Sequence, residues 1–175
     1  MGFVVCYLAL GQVFLEVLRF CLISPMFHIH PYANRIASRL STQVNQKHLL
    51  PDEQFGFRKK HSTVSQLARI TDYISHGFNL HKHAGMVSLD LENAYGTVWI
   101  YGLLCKLISF QLPTYLICIL RAILTGRSFS VQLNDASSTP KNTSAGLPQG
   151  AVLSTSLFAI YISDMPHPSN TQLAL

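Results

Sequence analysis

An α+β fold is what this sequence predicts, on three observations. Apolar residues recur at helical spacing in several separate stretches; Phe129, Val131 and Leu133 alternate with polar residues as in a strand; and Ala84 to Leu91 is a short apolar run with Val87, Leu89 and Leu91 on one parity. That run suits a mostly buried strand. At 175 residues the chain can bury a real core, and one domain, or an incomplete one, is expected. Hydrophobic residues are 49% and charged ones 12%, so much of the surface is expected to be covered by something outside the chain. A formal charge of +5, from 13 Lys plus Arg against 8 Asp plus Glu, favours nucleic acid or another polyanion as partner.

In chain order, Phe3 to Leu15 is nearly all apolar and Phe20 to Ile23 continues the run after Glu16 and Arg19. The uninterrupted part is shorter than the roughly 20 residues of a membrane span, no basic residue precedes it and no cleavage pattern follows. A packed amphipathic helix or a foreign leader is expected, and a membrane role is not. Pro25 and Pro31 break whatever helix precedes them. From Ala33, the residues Ile36, Ala37, Leu40 and Val44 give a helix with Arg35 and Arg39 on its polar side. Leu49-Leu50-Pro51-Asp52 stops it and leads into Gln54-Phe55-Gly56-Phe57-Arg58-Lys59-Lys60-His61, where Gly56 permits a tight turn. Arg58, Lys59 and Lys60 are the densest positive cluster, readable as a phosphate-binding loop or as a solvated basic loop.

Thr63-Val64-Ser65-Gln66 fits a capping box, and Leu67, Ile70, Ile74 and Phe78 carry one apolar stripe to about Asn79. The apolar strand that follows delivers Asp90 near its end. A carboxylate there needs backbone donors, a cation or a divalent metal such as Mg²⁺; it could equally cap the next turn. Leu103, Leu104, Leu107 and Ile108 give a helix, and Pro113 opens another, Thr114 to Leu124, closed by Gly126. Ser128 to Leu133 is a strand turning at Asn134-Asp135, with Thr139 to Ser144 able to pair back. Ala145-Gly146-Leu147-Pro148-Gln149-Gly150 is a rigid, close-approach loop that presents Gln149 or is a plain turn, and Leu153, Leu157, Ile160 and Tyr161 form the helix behind it. The cysteines, Cys6, Cys21, Cys105 and Cys118, lack C-x-x-C spacing and read as buried thiols in a reducing compartment. His28 with His30 and His81 with His83 read as loop or surface residues, since no third ligand type lies close.

Three stretches in fixed order are more specific than any one. Gln54-Phe55-Gly56-Phe57-Arg58 with His61-Ser62-Thr63, then Leu89-Asp90-Leu91-Glu92-Asn93-Ala94-Tyr95 with Val98-Trp99, then Ala145 to Gly150 with Leu157-Phe158, resemble the reverse transcriptases of non-LTR retrotransposons, especially jockey-like elements. Gly102-Leu103-Leu104, Lys106-Leu107 and Arg127 to Val131 also fit. The resemblance implies a partial right-hand polymerase fold: residues 1–32 stand outside it as an apolar leader, 33–83 look like fingers and 84–175 like palm. It also implies RNA-directed DNA polymerase chemistry, with an RNA template, a DNA primer, deoxynucleotides and Mg²⁺. By that likeness Asp90 is the first catalytic aspartate and a metal ligand, and Leu91 offers its backbone carbonyl. Tyr95 is the aromatic gate against a 2′-OH, Arg58 holds the incoming triphosphate, Gln149 and Gly150 line the nucleotide pocket, and Lys59 and Lys60 attract nucleic acid.

The family's next motif is an aromatic-Ala-Asp-Asp turn with further catalytic carboxylates, and neither Asp135 nor Asp164 replaces it. Gly96 stands where Asp is common, Asn93 where Lys is, Ala151 where Ser is and Thr155 where Pro is. The expectation is an incomplete, inactive copy of the polymerase. The alternatives are a remnant that binds nucleic acid weakly or a fragment attached to membrane through its apolar leader.

Overall fold

The computed structural model describes residues 2–6, 30–58, 60–133, 136–148, 151–169 and 171–175. In chain order these form β1 (Gly2–Cys6), α1 (His30–Gln46), α2 (Thr63–Asn79), β2 (Ala84–Ser88), α3 (Ile100–Ser109), α4 (Thr114–Leu124), β3 (Arg127–Phe129), β4 (Gln132–Leu133), β5 (Ala136–Ser137), β6 (Lys141–Thr143), α5 (Val152–Tyr161) and β7 (Thr171–Ala174). The mixed α+β class is as expected. The elements group into two compact units, one built from β1, Leu50–Glu92 and Ile162–Leu175, the other from α1 and Asn93–Tyr161.

The first unit holds a sheet of order β2-β1-β7, parallel throughout, with Gly2 opposite Ala84 and Phe3 opposite Thr171. Gly2–Cys6 therefore forms the middle strand of this sheet, which corrects the helix expected there. An apolar run with no polar face suits either state, and here the partners that decide are strands far along the chain. The rest of the apolar leader, residues 7–29, lies outside the described residues.

β2 ends at Ser88, short of Leu91, and Met86 and Val87 are 61% and 47% exposed. The expectation of a mostly buried strand through Leu91 is corrected. Among the described strands β2 is at the edge, with β1 as its one neighbour, so its apolar composition reports what the strand is suited to meet, not what the described residues supply.

α2 packs Ile70 against Ala174 of β7, with Tyr73 and Ile74 beside them. Only part of its predicted stripe is covered, since Leu67 and Phe78 are 64% and 61% exposed. The cap is also one residue earlier than expected: Ser62 is extended, at φ −139° and ψ 158°, and its Oγ accepts the Ser65 N–H at 3.1 Å, while Thr63 is already helical. Ser62→Ala is expected to lower stability by about 1 kcal/mol and Thr63→Ala by much less. Chemical denaturation of the two variants checks this, and equal losses would contradict it.

The second unit has the larger core. Leu116, Leu120 and Leu124 make one stripe on α4, Leu103 and Leu107 another on α3, and Leu40 and Val44 a third on α1, all buried. α5 is apolar nearly all round, with Leu153, Leu157, Phe158 and Ile160 buried, and it packs on both α1 and α3. Lys106 Nζ donates to the Tyr161 carbonyl at 2.9 Å, satisfying an orphan group at the end of α5. Cys105 and Cys118 fall off these stripes and are exposed, which corrects the buried-thiol expectation for both; Cys21 and the Cys6 side chain lie outside the described residues.

β3 pairs antiparallel with β6, Arg127 opposite Thr143, and β4 pairs with β5. The single strand expected over Ser128 to Leu133 is two short ones. At the break, Val131 N–H is taken by Ser138 Oγ at 2.9 Å and Val131 C=O accepts the Ser138 N–H at 2.8 Å. The turn expected at Asn134-Asp135 lies outside the described residues. No described helix is long and apolar enough to cross a membrane.

Candidate functional site

In the first unit, Asp90 and Leu91 lie just past the end of β2 and both are exposed, with Glu92 following. Among the described residues no group of three His, Cys, Asp or Glu side chains could hold a metal ion. The described members of the histidine pairs make no metal cluster either.

The basic loop of the same unit is shaped by backbone bonds. Phe55 and Gly56 N–H groups donate to the Leu175 carbonyl at 2.8 and 3.2 Å, and Leu175 N–H returns to the Glu53 carbonyl at 3.1 Å. Gln54 is buried beneath the loop, its Nε2 on the Gly56 carbonyl at 3.1 Å. The turn itself is taken by Phe57 and Lys60, at φ +57° and +67°. Arg58 points back into the loop: its Nη1 donates to the Pro51 carbonyl at 3.0 Å, and its side chain is 17% exposed, beside a fully exposed Asp52 at 3.9 Å. Lys60 is exposed, and Lys59 lies outside the described residues. Phe57, three residues before Lys60 in the chain, is 65% exposed and was not singled out by the charge-based reading; an exposed aromatic ring is a surface on which a base can stack.

In the second unit the Tyr95 turn is closed by Gly96 and Thr97 N–H groups donating to the Asn93 carbonyl at 2.9 and 3.1 Å, with Asn93 at φ +50°. Asparagine is one of the few side chains that tolerates this region. A Cβ on Gly96 would stand 2.3 Å from Asn93 Nδ2, so these two departures from the family pattern are physically coupled: a side chain at 96 requires that Asn93 move. The Tyr95 ring packs 5.0 Å from the Phe158 ring, and burial raises its phenol above the ordinary pKa, keeping it neutral.

Against this turn lies the glycine-rich loop. Gly146 N–H donates to the Val98 carbonyl at 2.9 Å, Leu147 N–H to the Tyr95 carbonyl at 2.7 Å, and the buried Ser154 Oγ to the Pro148 carbonyl at 2.6 Å. Gly146 sits at φ +80°, and a Cβ there would be 2.8 Å from the Gly96 carbonyl oxygen. The loop is thus the rigid, close-approach structure its composition implies. Gln149 and Gly150, which follow directly, lie outside the described residues. What the arrangement does physically is hold the Tyr95 turn and the Gly146–Leu147 backbone in one fixed relation.

Residues 19–174 match the reverse transcriptase (RNA-dependent DNA polymerase) family, a span that begins upstream of Ala33. The chain is 36% identical over 140 residues to the probable RNA-directed DNA polymerase from transposon BS of Drosophila melanogaster, covering 79% of this chain and 15% of that protein. It is 38% identical over 133 residues to the corresponding X-element protein of the same fly, covering 76% of this chain and 14% of the relative. To the RNA-directed DNA polymerase from mobile element jockey of Drosophila funebris it is 36% identical over 132 residues, 75% of this chain and 14% of that one. The chain therefore spans about one seventh of the length of these relatives. No solved structure matches it. With the family covering nearly all of the chain and its relatives agreeing on one activity, this chain belongs to the reverse transcriptases, among those of jockey and other non-LTR transposons.

Proposed function

We propose that this chain is the nucleotide- and template-binding portion of an RNA-directed DNA polymerase, with the partial right-hand fold that its family membership implies. The observation that carries this is the hydrogen-bonded seam between the Tyr95 turn and the Gly146–Leu147 backbone, which joins two motifs separated by some fifty residues of chain. In this reading Tyr95 meets the sugar of the nucleotide, and Gln149 and Gly150 are nucleotide-binding residues by their place in the family's motif. The basic loop of the first unit, with Arg58, Lys59 and Lys60, attracts phosphates of nucleic acid or nucleotide by charge. Arg58 then exchanges the Pro51 carbonyl for a phosphate, a stronger charge-assisted partner.

The residues present do not fit a pair of Mg²⁺ ions. Asp90 with the Leu91 carbonyl supplies one carboxylate and one neutral oxygen, against the near-octahedral oxygen shell each ion demands, and no described cluster adds to them. Binding without nucleotidyl transfer is accordingly the reading favoured for the polypeptide by itself, with Asp90 as one carboxylate of a larger set.

Binding of a labelled RNA·DNA hybrid, followed by fluorescence anisotropy as salt is raised, tests this. Affinity is expected to be weak and to fall steeply with salt, and Lys60→Ala is expected to flatten the log-log slope by about one unit or slightly less. A slope unchanged in the Arg58→Ala, Lys60→Ala double variant would remove the basic loop from the interface.

A further inference from the structure

The first unit holds an arginine with no part in the reading above. Arg69 lies on α2, three residues after the buried Gln66, and its Nη1 donates to Gln66 Oε1 at 3.2 Å and to the Leu173 carbonyl of β7 at 3.4 Å. Gln66 Nε2 in turn donates at 3.0 Å to the Glu53 carbonyl, which also accepts the Leu175 N–H. Arg69 Nη2 stands 3.9 Å from Glu53 Oε1. Its guanidinium carbon lies 5.6 Å from the centre of the Phe55 ring, which also meets the His61 ring edge to face, with centres 4.7 Å apart. Gln172 of β7, with its amide oxygen turned to the guanidinium, accepts from Arg69 Nε at 2.9 Å and from Nη2. One guanidinium therefore joins α2, the end of β7, and Glu53 and Phe55 at the root of the basic loop.

We propose that Arg69 is a positioning residue for phosphate capture: it fixes Glu53 and Phe55 against α2 and β7, so that the loop after them meets a polyanion already in shape. The inference rests on the part proposed above for the basic loop in nucleic-acid binding, and adds what holds that loop. Glu53 and Phe55 stand just before Phe57 and Arg58 in the chain, and the loop's far end is tied separately where Ser62 caps α2. A loop fixed at both ends gives up little freedom when it binds. The Arg69 charge is itself spent inside the unit, beside Glu53, on a side chain only 30% exposed, which leaves contact with phosphate to Arg58 and Lys60. A planar guanidinium is suited to this task, since its donors diverge in a fixed fork while its face covers an aromatic ring. A lysine in its place keeps the charge but offers a single nitrogen, which cannot serve Gln66, Leu173 and Gln172 while lying over Phe55.

The test uses the 175-residue chain, its Arg69→Lys and Arg69→Gln variants and the Arg58→Ala, Lys60→Ala double variant, with two readouts. Hydrogen exchange at the Phe55 and Gly56 amides, which donate to the Leu175 carbonyl, is expected to quicken about tenfold or more in both Arg69 variants, while amides in the middle of α2 keep their protection. Binding of the labelled RNA·DNA hybrid is expected to weaken about threefold to tenfold in Arg69→Lys at an unchanged salt slope, because order is lost and no phosphate contact is. The double variant is expected to flatten the slope instead. If Arg69→Gln loosens the whole of α2, Arg69→Lys alone decides, and loss of α2 protection there too would mean that Arg69 holds the unit and not the loop, which overturns the proposal. Unchanged exchange at Phe55 and Gly56 overturns it as well. Faster exchange with unchanged affinity removes Arg69 from phosphate capture. A slope flattened by about one unit in Arg69→Gln would make Arg69 a phosphate contact itself and overturn the positioning role. An unmodified chain that fails to bind the hybrid overturns the reading of the basic loop, and the exchange rates then still decide whether Arg69 holds it.

Discussion

Gly146→Ala is expected to destabilise the second unit by about 3 kcal/mol or more. A left-handed backbone costs a residue with a Cβ roughly 1–2 kcal/mol. The remainder comes from crowding: the new carbon would be 2.8 Å from the Gly96 carbonyl oxygen and 3.0 Å from the Gly96 Cα, both backbone atoms that cannot swing away as a side chain does. Relief requires that the loop retreat, which stretches the Gly146-to-Val98 and Leu147-to-Tyr95 hydrogen bonds together. For a chain of this size that corresponds to a fall of roughly 6–12 °C in the unfolding midpoint. Gly77→Ala is the matched control, because a Cβ at Gly77, inside α2, meets nothing within 4 Å. There alanine is expected to stabilise by about 0.5–1 kcal/mol. Thermal unfolding of both variants checks the pair. A Gly146→Ala protein as stable as the unmodified chain would mean that the loop does not approach the turn as closely as described.

The elements most legible in the sequence were those whose signal is local. α4 runs from Thr114 to Leu124 as the Pro113 start and Gly126 stop imply, and α2 spans Thr63–Asn79 as its periodicity implies. The β3–β6 pairing was legible too, because a short hairpin needs only alternation and a turn. What the sequence hid was decided by partners far along the chain. Gly2–Cys6 is a strand because β2 and β7 flank it, and nothing within those five residues says so. The exposure of β2, Leu67 and Phe78 was hidden for the converse reason: apolar side chains announce what they suit, not whether it is present.

The candidate site divides along the same line. The rigidity of the Ala145–Pro148 loop could be read from Gly146 and Pro148, and the structure supplies the bonds that enforce it. Arg69 could not be singled out, since one arginine on a helix looks like any other until Gln66, Leu173 and Glu53 are seen around it. Arg58 shows the reverse case: its place in a basic cluster was plain, and its inward turn onto the Pro51 carbonyl was not.

The second large effect concerns catalysis. The 175-residue polypeptide by itself is expected to give no detectable primer extension, although its relatives are named for that activity. Nucleotidyl transfer by two metals draws on several convergent carboxylates, and Asp90 stands exposed with no described cluster around it. Each 1.4 kcal/mol of lost transition-state stabilisation is about tenfold in rate, so losing several kcal/mol removes activity by a factor of thousands or more. Binding through the basic loop does not share this requirement. The direct test is primer extension on an RNA template with the purified polypeptide, beside an Asp90→Ala preparation, after both have been shown to bind the hybrid. The account predicts equal binding and no extension by either. Extension by the unmodified polypeptide that Asp90→Ala abolishes would contradict it, and would show that Asp90 assembles a working catalytic centre with the residues this chain already has.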